Sequence, residues 1–250
     1  MMIPMTRFHR ERYRGENMKT KNELCKLNKV NKVYTGEETI KPLQDVDLTV
    51  NRGDFVAIEG PSGTGKTTLL HIMAGLLTPT SGEVYVDGRS LHDSNDRVRT
   101  AIRSKTIGFI FQDTYLFQGL TVNDNLLFSI HLAGQKITAD KKSLAADFLI
   151  LLGLDRHRNH LPYQLSIGQR RRVAVARALI NRNSLIIADE PTNDLDPYWS
   201  SQVIGLLDQH VKQGNAVVLV THHQQWATRG NKRYRMDEGR LLEQGVLIRA

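Results

Sequence analysis

Two short stretches of this chain carry the residues needed to grip phosphate. The first runs Gly60, Pro61, Ser62, Gly63, Thr64, Gly65, Lys66, Thr67 and Thr68. Glycines at 60, 63 and 65 let the backbone curl with its N–H groups turned inward around phosphate oxygens. A helix starting near Lys66 aims its N-terminus at the same anion. Lys66 supplies a cation for the β- and γ-phosphates of a nucleoside triphosphate, and Thr67 a hydroxyl for Mg²⁺. Residues Gly60 to Thr68 are therefore candidate nucleotide-binding residues. The competing reading is a chance Gly-rich turn. It is disfavoured because the stretch lies between a strand and a helix, as a P-loop must. The second stretch, Leu165, Ser166, Ile167, Gly168 and Gln169, is a Gly/Ser turn that opens a helix N-capped by Ser166.

A third element complements the first. The apolar run 185–188 delivers Asp189 and Glu190 to the carboxyl edge of a strand, the usual ligand side of a parallel sheet. Asp189 would hold Mg²⁺, through water, and Glu190 would polarise an attacking water. Alone, the pair reads equally well as an acidic strand-end turn; beside a P-loop, the chemical reading prevails.

The elements that must position these residues alternate as in an α/β protein. Residues 46–50 alternate like a half-buried strand, and 54–59 form a buried strand running into the P-loop. A helix is expected over 67–77, strands over 83–86 and 106–111, and helical spacing from 121 to about 161. In that spacing Leu126, Leu127, Ile130 and Leu132, then Leu144, Phe148, Leu151 and Leu152, recur near a 3.6 period. Strand 185–189, helix 198–211, strand 216–220 and a hairpin over 234–243 complete the pattern. Of the aromatics near Gln112, Phe109 and Phe111 read as strand or core residues.

Composition bounds the rest. The chain has 250 residues, 40% of them hydrophobic, with a mean hydropathy of −0.36. This permits one large domain with a subdomain, and no apolar run is long enough to span a membrane. The single cysteine, Cys25, excludes an internal disulfide framework and reads as an unreactive thiol. Net charge is +8, which makes nucleic acid or an anionic membrane surface conceivable partners. Part of it lies in residues 1–24, with Arg7, Arg10, Arg12, Arg14, Lys19 and Lys21, read as a basic flexible extension ahead of a 25–250 domain. Order is expected from near Leu27, and Met18 is a second candidate start.

Taken together, the P-loop, the acidic strand and the Leu165–Gln169 turn with its helix resemble the ATP-binding-cassette (ABC) ATPases over residues from about 27 to 245. The resemblance implies an α/β P-loop NTPase core of mixed sheet with flanking helices, an antiparallel β subdomain and an α-helical subdomain at about 113–180. It implies two chains clamping two ATP molecules, with Ser166, Gly168 and Gln169 of one chain meeting the P-loop of the other. Tyr34 matches the aromatic that stacks on adenine. Gln112 matches the glutamine that senses Mg²⁺ and water at the hinge of the helical subdomain. His222 matches the histidine that contacts the γ-phosphate, and Asp196 lies in the loop after Glu190 that spans the dimer. The implied catalytic set is Glu190, His222, Lys66 and Gln112, and the implied Mg²⁺ set is Thr67, Gln112 and Asp189. The sequence departs from the family at Ile167, where glycine is usual, and at Arg170 and Arg171, where glutamines are common. It departs again at Asn193 and Asp194, where a small residue is usual.

Within the family, residues 53–59 and 107–117 most resemble the lipoprotein-releasing and macrolide-export ATPases. This implies a peripheral subunit at the cytoplasmic face of the cell membrane, driving a separate permease for a lipoprotein, peptide or drug. Tyr115 and Phe117 fall where family members present a groove to a membrane subunit. Two alternatives come with the resemblance: an ABC ATPase acting on nucleic acid, and a cell-division or cell-wall regulatory ATPase with a membrane partner. The nucleic-acid reading is disfavoured, because such proteins typically carry two cassettes or long coiled-coil insertions.

Overall fold

The computed structural model describes residues 22–91 and 93–244. Two sheets organise it. The strands β1 (Glu23–Tyr34), β2 (Ile40–Asn51), β4 (Ser81–Val86) and β5 (Arg89–Ser90) form an antiparallel sheet in the order β2-β1-β4-β5. A six-stranded mixed sheet contains β3 (Phe55–Glu59), β6 (Ile107–Ile110), β7 (Leu185–Asp189), β8 (Ala216–Val220), β9 (Lys232–Asp237) and β10 (Arg240–Gln244), in the order β10-β9-β3-β8-β7-β6. All its pairings are parallel except β9 with β10. The helices are α1 (Lys66–Met73), α2 (Asp96–Thr106), α3 (Val122–Leu132), α4 (Ala139–Leu151), α5 (Ile167–Leu179), α6 (Pro197–Lys212) and α7 (Gln224–Ala227).

The period-two alternation of strands divides the interior into two cores. Val56, Ile58, Ile187, Val218 and Val220 face one cluster, shared with the antiparallel sheet and α1. Ile186, Ala188, Val217 and Leu219 face the other, shared with α3 to α6. Strands β7 and β8 are covered on both faces and every residue in them is buried. That explains their unbroken apolar runs, as expected for central strands of a parallel sheet.

Several sequence expectations shift here. Glu23 and Leu24 belong to β1 rather than to the extension, and Leu24 is fully buried; residues 1–21 lie outside the described residues. The helix expected over 67–77 stops at Met73. Gly75, at φ 62°, donates to the Ile72 carbonyl and Leu76 to the His71 carbonyl, the reciprocal pattern that closes a helix on a left-handed glycine. Helix α2 escaped the sequence reading because it buries only Ile102 and Thr106, too few apolar positions to set a period; Thr106 ends this helix rather than opening β6. Leu132 and Leu151 are exposed, so they lie off the buried faces of α3 and α4. Cys25 is buried, and desolvation pushes its thiol up to about 12, which is the chemistry of an inert thiol.

Candidate functional site

The P-loop leaves β3 and enters α1. Gly60 has φ 153° and Gly65 φ 102°. A Cβ at Gly60 would stand 2.3 Å from the Met236 carbonyl oxygen, and one at Gly65 would stand 2.0 Å from that of Pro42. The loop is thus wedged between β9 and β2, and only glycine fits at either place. Gly65→Ala should cost about 2 kcal/mol or more through left-handed strain and collision with backbone, lowering the melting temperature and weakening nucleotide binding together. Retention of both would show that the wedge can yield.

Of the helices with eight or more residues described here, α1 is the one without a side-chain cap. The others are capped by Asn95, Thr121, Thr138, Ser166 and Asp196. Its first N–H groups are therefore left for an anion. Lys66 Nζ meanwhile donates to the carbonyls of Gly60 (2.8 Å) and Pro61 (2.6 Å), which holds the cation inside the loop. Burial lowers the Lys66 pKa, opposed by the negative charges of Glu190 and Asp189.

Those carboxylates arrive on β7, which lies two strands from β3 with β8 between. Thr67 Oγ1 donates to Asp189 Oδ2 at 2.7 Å. Burial raises the Asp189 pKa, the Thr67 hydrogen bond pulls it down, and Glu190 pushes it up again. A hydroxyl and a desolvated carboxylate form an oxygen donor pair of the kind Mg²⁺ selects, so these residues fit the ion. Glu190 sits at φ 49°, an uncommon conformation for a non-glycine residue, and its N–H donates to the Val220 carbonyl. Its Oε1 lies 3.0 Å from His222 Nδ1. Its Oε2 is buried without a hydrogen-bond partner, an acceptor held ready for a proton from water.

Lys66, Thr67, Asp189, Glu190 and His222 therefore form one cluster at the carboxyl ends of β3, β7 and β8. The other candidates lie around it. Pro61, Ser62 and Gly63 are exposed on the loop, and Thr64 Oγ1 donates to the Pro61 carbonyl at 2.9 Å. Thr68 lies in the first turn of α1. Gln112 is exposed in the irregular segment after β6. Tyr34 ends β1, exposed, with Lys32 Nζ 5.0 Å from its ring centroid.

Ser166 caps α5. The Gln169 N–H donates to Ser166 Oγ, while Gln169 Oε1 accepts from the Ser166 N–H at 2.8 Å; this is a reciprocal capping box. Gln169 Nε2 also lies 3.2 Å from His157 Nε2. Ile167 is the first residue of α5, exposed and without positive φ. The backbone there needs no glycine, so the departure at 167 leaves the turn regular. Asp196 caps α6, accepting from the Trp199 N–H at 2.9 Å. Among the described residues none of Ser166, Gly168, Gln169 and Asp196 bonds to the P-loop of its own chain.

Sequence reasoning missed the supports of the loop, Pro42 and Met236, which no local signal marks. It also missed the stacking of Arg172 on Trp199, with the guanidinium 4.0 Å from the ring. Finally, it noted Arg171 and Asp194 only as departures. The two prove to be paired, with Nη2 3.4 Å from Oδ2.

The comparisons with known proteins bear on the family and the fold. Residues 43–193 match the family model described as ABC transporter. The chain is 39% identical over 218 residues to the lipoprotein-releasing system ATP-binding protein LolD of Psychrobacter arcticus, covering 86% of this chain and 96% of that one. It is 41% identical over 222 residues to the LolD of Shewanella denitrificans, covering 88% and 95%. Among solved structures, the post-hydrolysis dimer of the ATP-binding cassette MJ0796 bound to ADP and Pi superposes with a TM-score of 0.86 at 37% identity, covering 91% of this chain and 100% of that one. A phosphate-gripping loop, an acidic strand end with its histidine, and this degree of likeness lead to one conclusion: the chain belongs to the ABC transporter family, as one of its ATP-hydrolysing cassettes.

Proposed function

We propose that this cassette is the ATPase subunit of a lipoprotein-releasing transporter and works as a homodimer with two ATP molecules between its protomers. The single observation that carries the cargo class is the 39–41% identity to two LolD proteins over nearly their whole length. The dimer reading rests on the solved dimer of the MJ0796 cassette. It rests also on the separation of the two phosphate motifs, because Ser166, exposed, and Gly168, half-buried, stand at the start of α5 and do not complete the P-loop of their own chain. The residues from Glu23 to Gln244 act as one ATPase domain, with α3 to α5 as its helical part and Tyr34 and Gln112 as further nucleotide and water contacts.

Within each site the α1 amides and Lys66 would hold the β- and γ-phosphates, and Thr67 and Asp189 would hold Mg²⁺. When bound, the ion neutralises charge on the phosphate oxygens. Glu190 Oε2 orients the attacking water, while His222 fixes the other carboxylate oxygen and faces the γ-phosphate from an exposed position. The work is positioning and charge stabilisation, which account for most of phosphoryl-transfer catalysis.

The likeness to LolD supports a subunit that acts on a separate permease at the cytoplasmic membrane face; no helix among the described residues is long and apolar enough to cross a membrane. The surface for it is a groove of about 350 Å³ whose lining includes Phe109, Phe111, Tyr115, Phe117 and Arg177. The deciding experiment reconstitutes the chain with its permease in proteoliposomes and measures ATP-dependent release of a lipoprotein. Release that ceases with the Glu190→Gln variant supports the reading. Coupled ATP hydrolysis with no lipoprotein released, but with a peptide or drug moved, would reassign the cargo.

A further inference from the structure

We propose that Arg171 and Asp194 form an ionic latch that ties the Ser166–Gly168 turn to the Glu190 loop of the same chain, so that the half-site one chain offers its partner is set by the state of its own catalytic carboxylate. Arg171 acts through other residues and is a positioning residue. The proposal rests on the ATPase reading above.

Arg171 lies three residues beyond Gly168, on the same face of α5. Its side chain is 5% exposed although it carries a charge. Nη1 donates to the Phe111 carbonyl at 2.9 Å, immediately before Gln112. Nη2 reaches Asp194 Oδ2 at 3.4 Å, and Nε is buried without a partner. One guanidinium therefore joins α5, the segment leading to Gln112 and the loop after Glu190.

That loop is stiff. The Asn193 N–H donates to the Glu190 carbonyl at 3.2 Å and the Leu195 N–H to the Thr192 carbonyl at 3.2 Å. Asp194 itself is at φ 63°, a region that Asp tolerates better than most residues. The contact is also tight beside the ion pair, since a Cβ on Gly168 would stand 2.8 Å from the Asp194 carbonyl oxygen. A displacement of Glu190 is thus carried through two turns to Asp194, and from there to Gly168 by contact and to Arg171 by charge.

The residue types fit this task and fit it together. A glutamine at 171 could donate to one carbonyl but would bring no charge to meet Asp194. A lysine has a point charge and cannot fork to both partners. Positions 171 and 194 are two of the places where this sequence departs from the usual family pattern, and the departures are of opposite sign. A buried cation without its carboxylate is costly, so each substitution makes sense of the other.

The test is a double-mutant cycle on the full chain with Arg171→Gln and Asp194→Asn, reading kcat and KM for ATP, equilibrium nucleotide binding, and amide hydrogen exchange over 165–171 and 190–196. Each single variant should lower kcat roughly tenfold to a hundredfold, the scale of a misplaced reacting group. The double variant should lose no more than the worse single one, and nucleotide affinity should stay within about twofold, because the P-loop is untouched. Exchange should quicken in both segments in each variant. Asp194 is about half exposed and its asparagine keeps the loop shape, so that variant folds even if Arg171→Gln does not. Wild-type kcat in Asp194→Asn with unchanged exchange, or additive losses in the double variant, would overturn the latch. A wild-type chain with no ATPase activity would instead overturn the catalytic reading, and the exchange data would still decide the latch.

Discussion

Glu190→Gln is expected to lower ATP turnover roughly 10²- to 10⁴-fold, the range associated with a positioned acid–base group, while ATP binding persists. The structure gives the reason for both halves. The carboxylate ends β7 in a left-handed conformation, with Oε1 3.0 Å from His222 Nδ1 and Oε2 buried without a partner. An amide in its place keeps the shape and one acceptor oxygen but loses the charge that draws a proton from water. None of the groups that hold phosphate changes: Lys66 stays bound to the Gly60 and Pro61 carbonyls and α1 keeps its uncapped N-terminus. The measurement is phosphate release at saturating ATP beside equilibrium binding of ATP. The variant should also accumulate a stable ATP-bound dimer, visible as a doubling of mass in solution. Near-normal turnover would remove Glu190 from its assigned role.

Lys66→Ala should weaken binding and turnover together, and so separates gripping from chemistry. Removing the ammonium takes away the cation that the Gly60 and Pro61 carbonyls hold inside the loop. It also leaves Asp189 and Glu190, which act on Lys66 through their negative charges, with less to balance them. A hydrogen bond to a charged group contributes about 1.5–3 kcal/mol, so nucleotide affinity should fall roughly tenfold to a hundredfold, with turnover falling at least as far. Titration of a fluorescent ATP analogue checks this. Unchanged affinity would mean that the loop, in spite of its geometry, does not hold the triphosphate through Lys66. The two variants make opposite predictions for binding, so together they test the division of labour between P-loop and acidic strand.

Much of this site was legible in the sequence because its parts are local. Gly60 to Thr68 specify a turn that only glycines can make, and the run 185–190 specifies a buried strand ending in two acids. Ser166 with Gln169 three residues later is a capping box written in four positions, and α5 begins where that pattern says. Cys25, the single cysteine, was read as an unreactive thiol, and its burial agrees. Less was legible where the signal was not periodic. Helix α2 presents only two buried positions and escaped notice. Leu132 and Leu151 fit the helical spacing yet face outward, because apolar type at the right period does not say which face a neighbouring element covers.

The sequence by itself supplied the parts: a glycine-rich loop ending in Lys66 and Thr67, an apolar strand ending in Asp189 and Glu190, and a second Gly/Ser turn far along the chain. Each is a pattern written within a few residues, where covalent geometry decides the outcome. Tertiary structure decided which of these groups meet. It brought His222 to Glu190 from the neighbouring strands β8 and β7 and Thr67 to Asp189 across β3, β8 and β7, pressed Pro42 and Met236 against the loop glycines, and joined Arg171 to Asp194. Those contacts span from 23 to more than 170 residues. They depend on strand order and on the packing of two cores against one sheet, which no local pattern encodes.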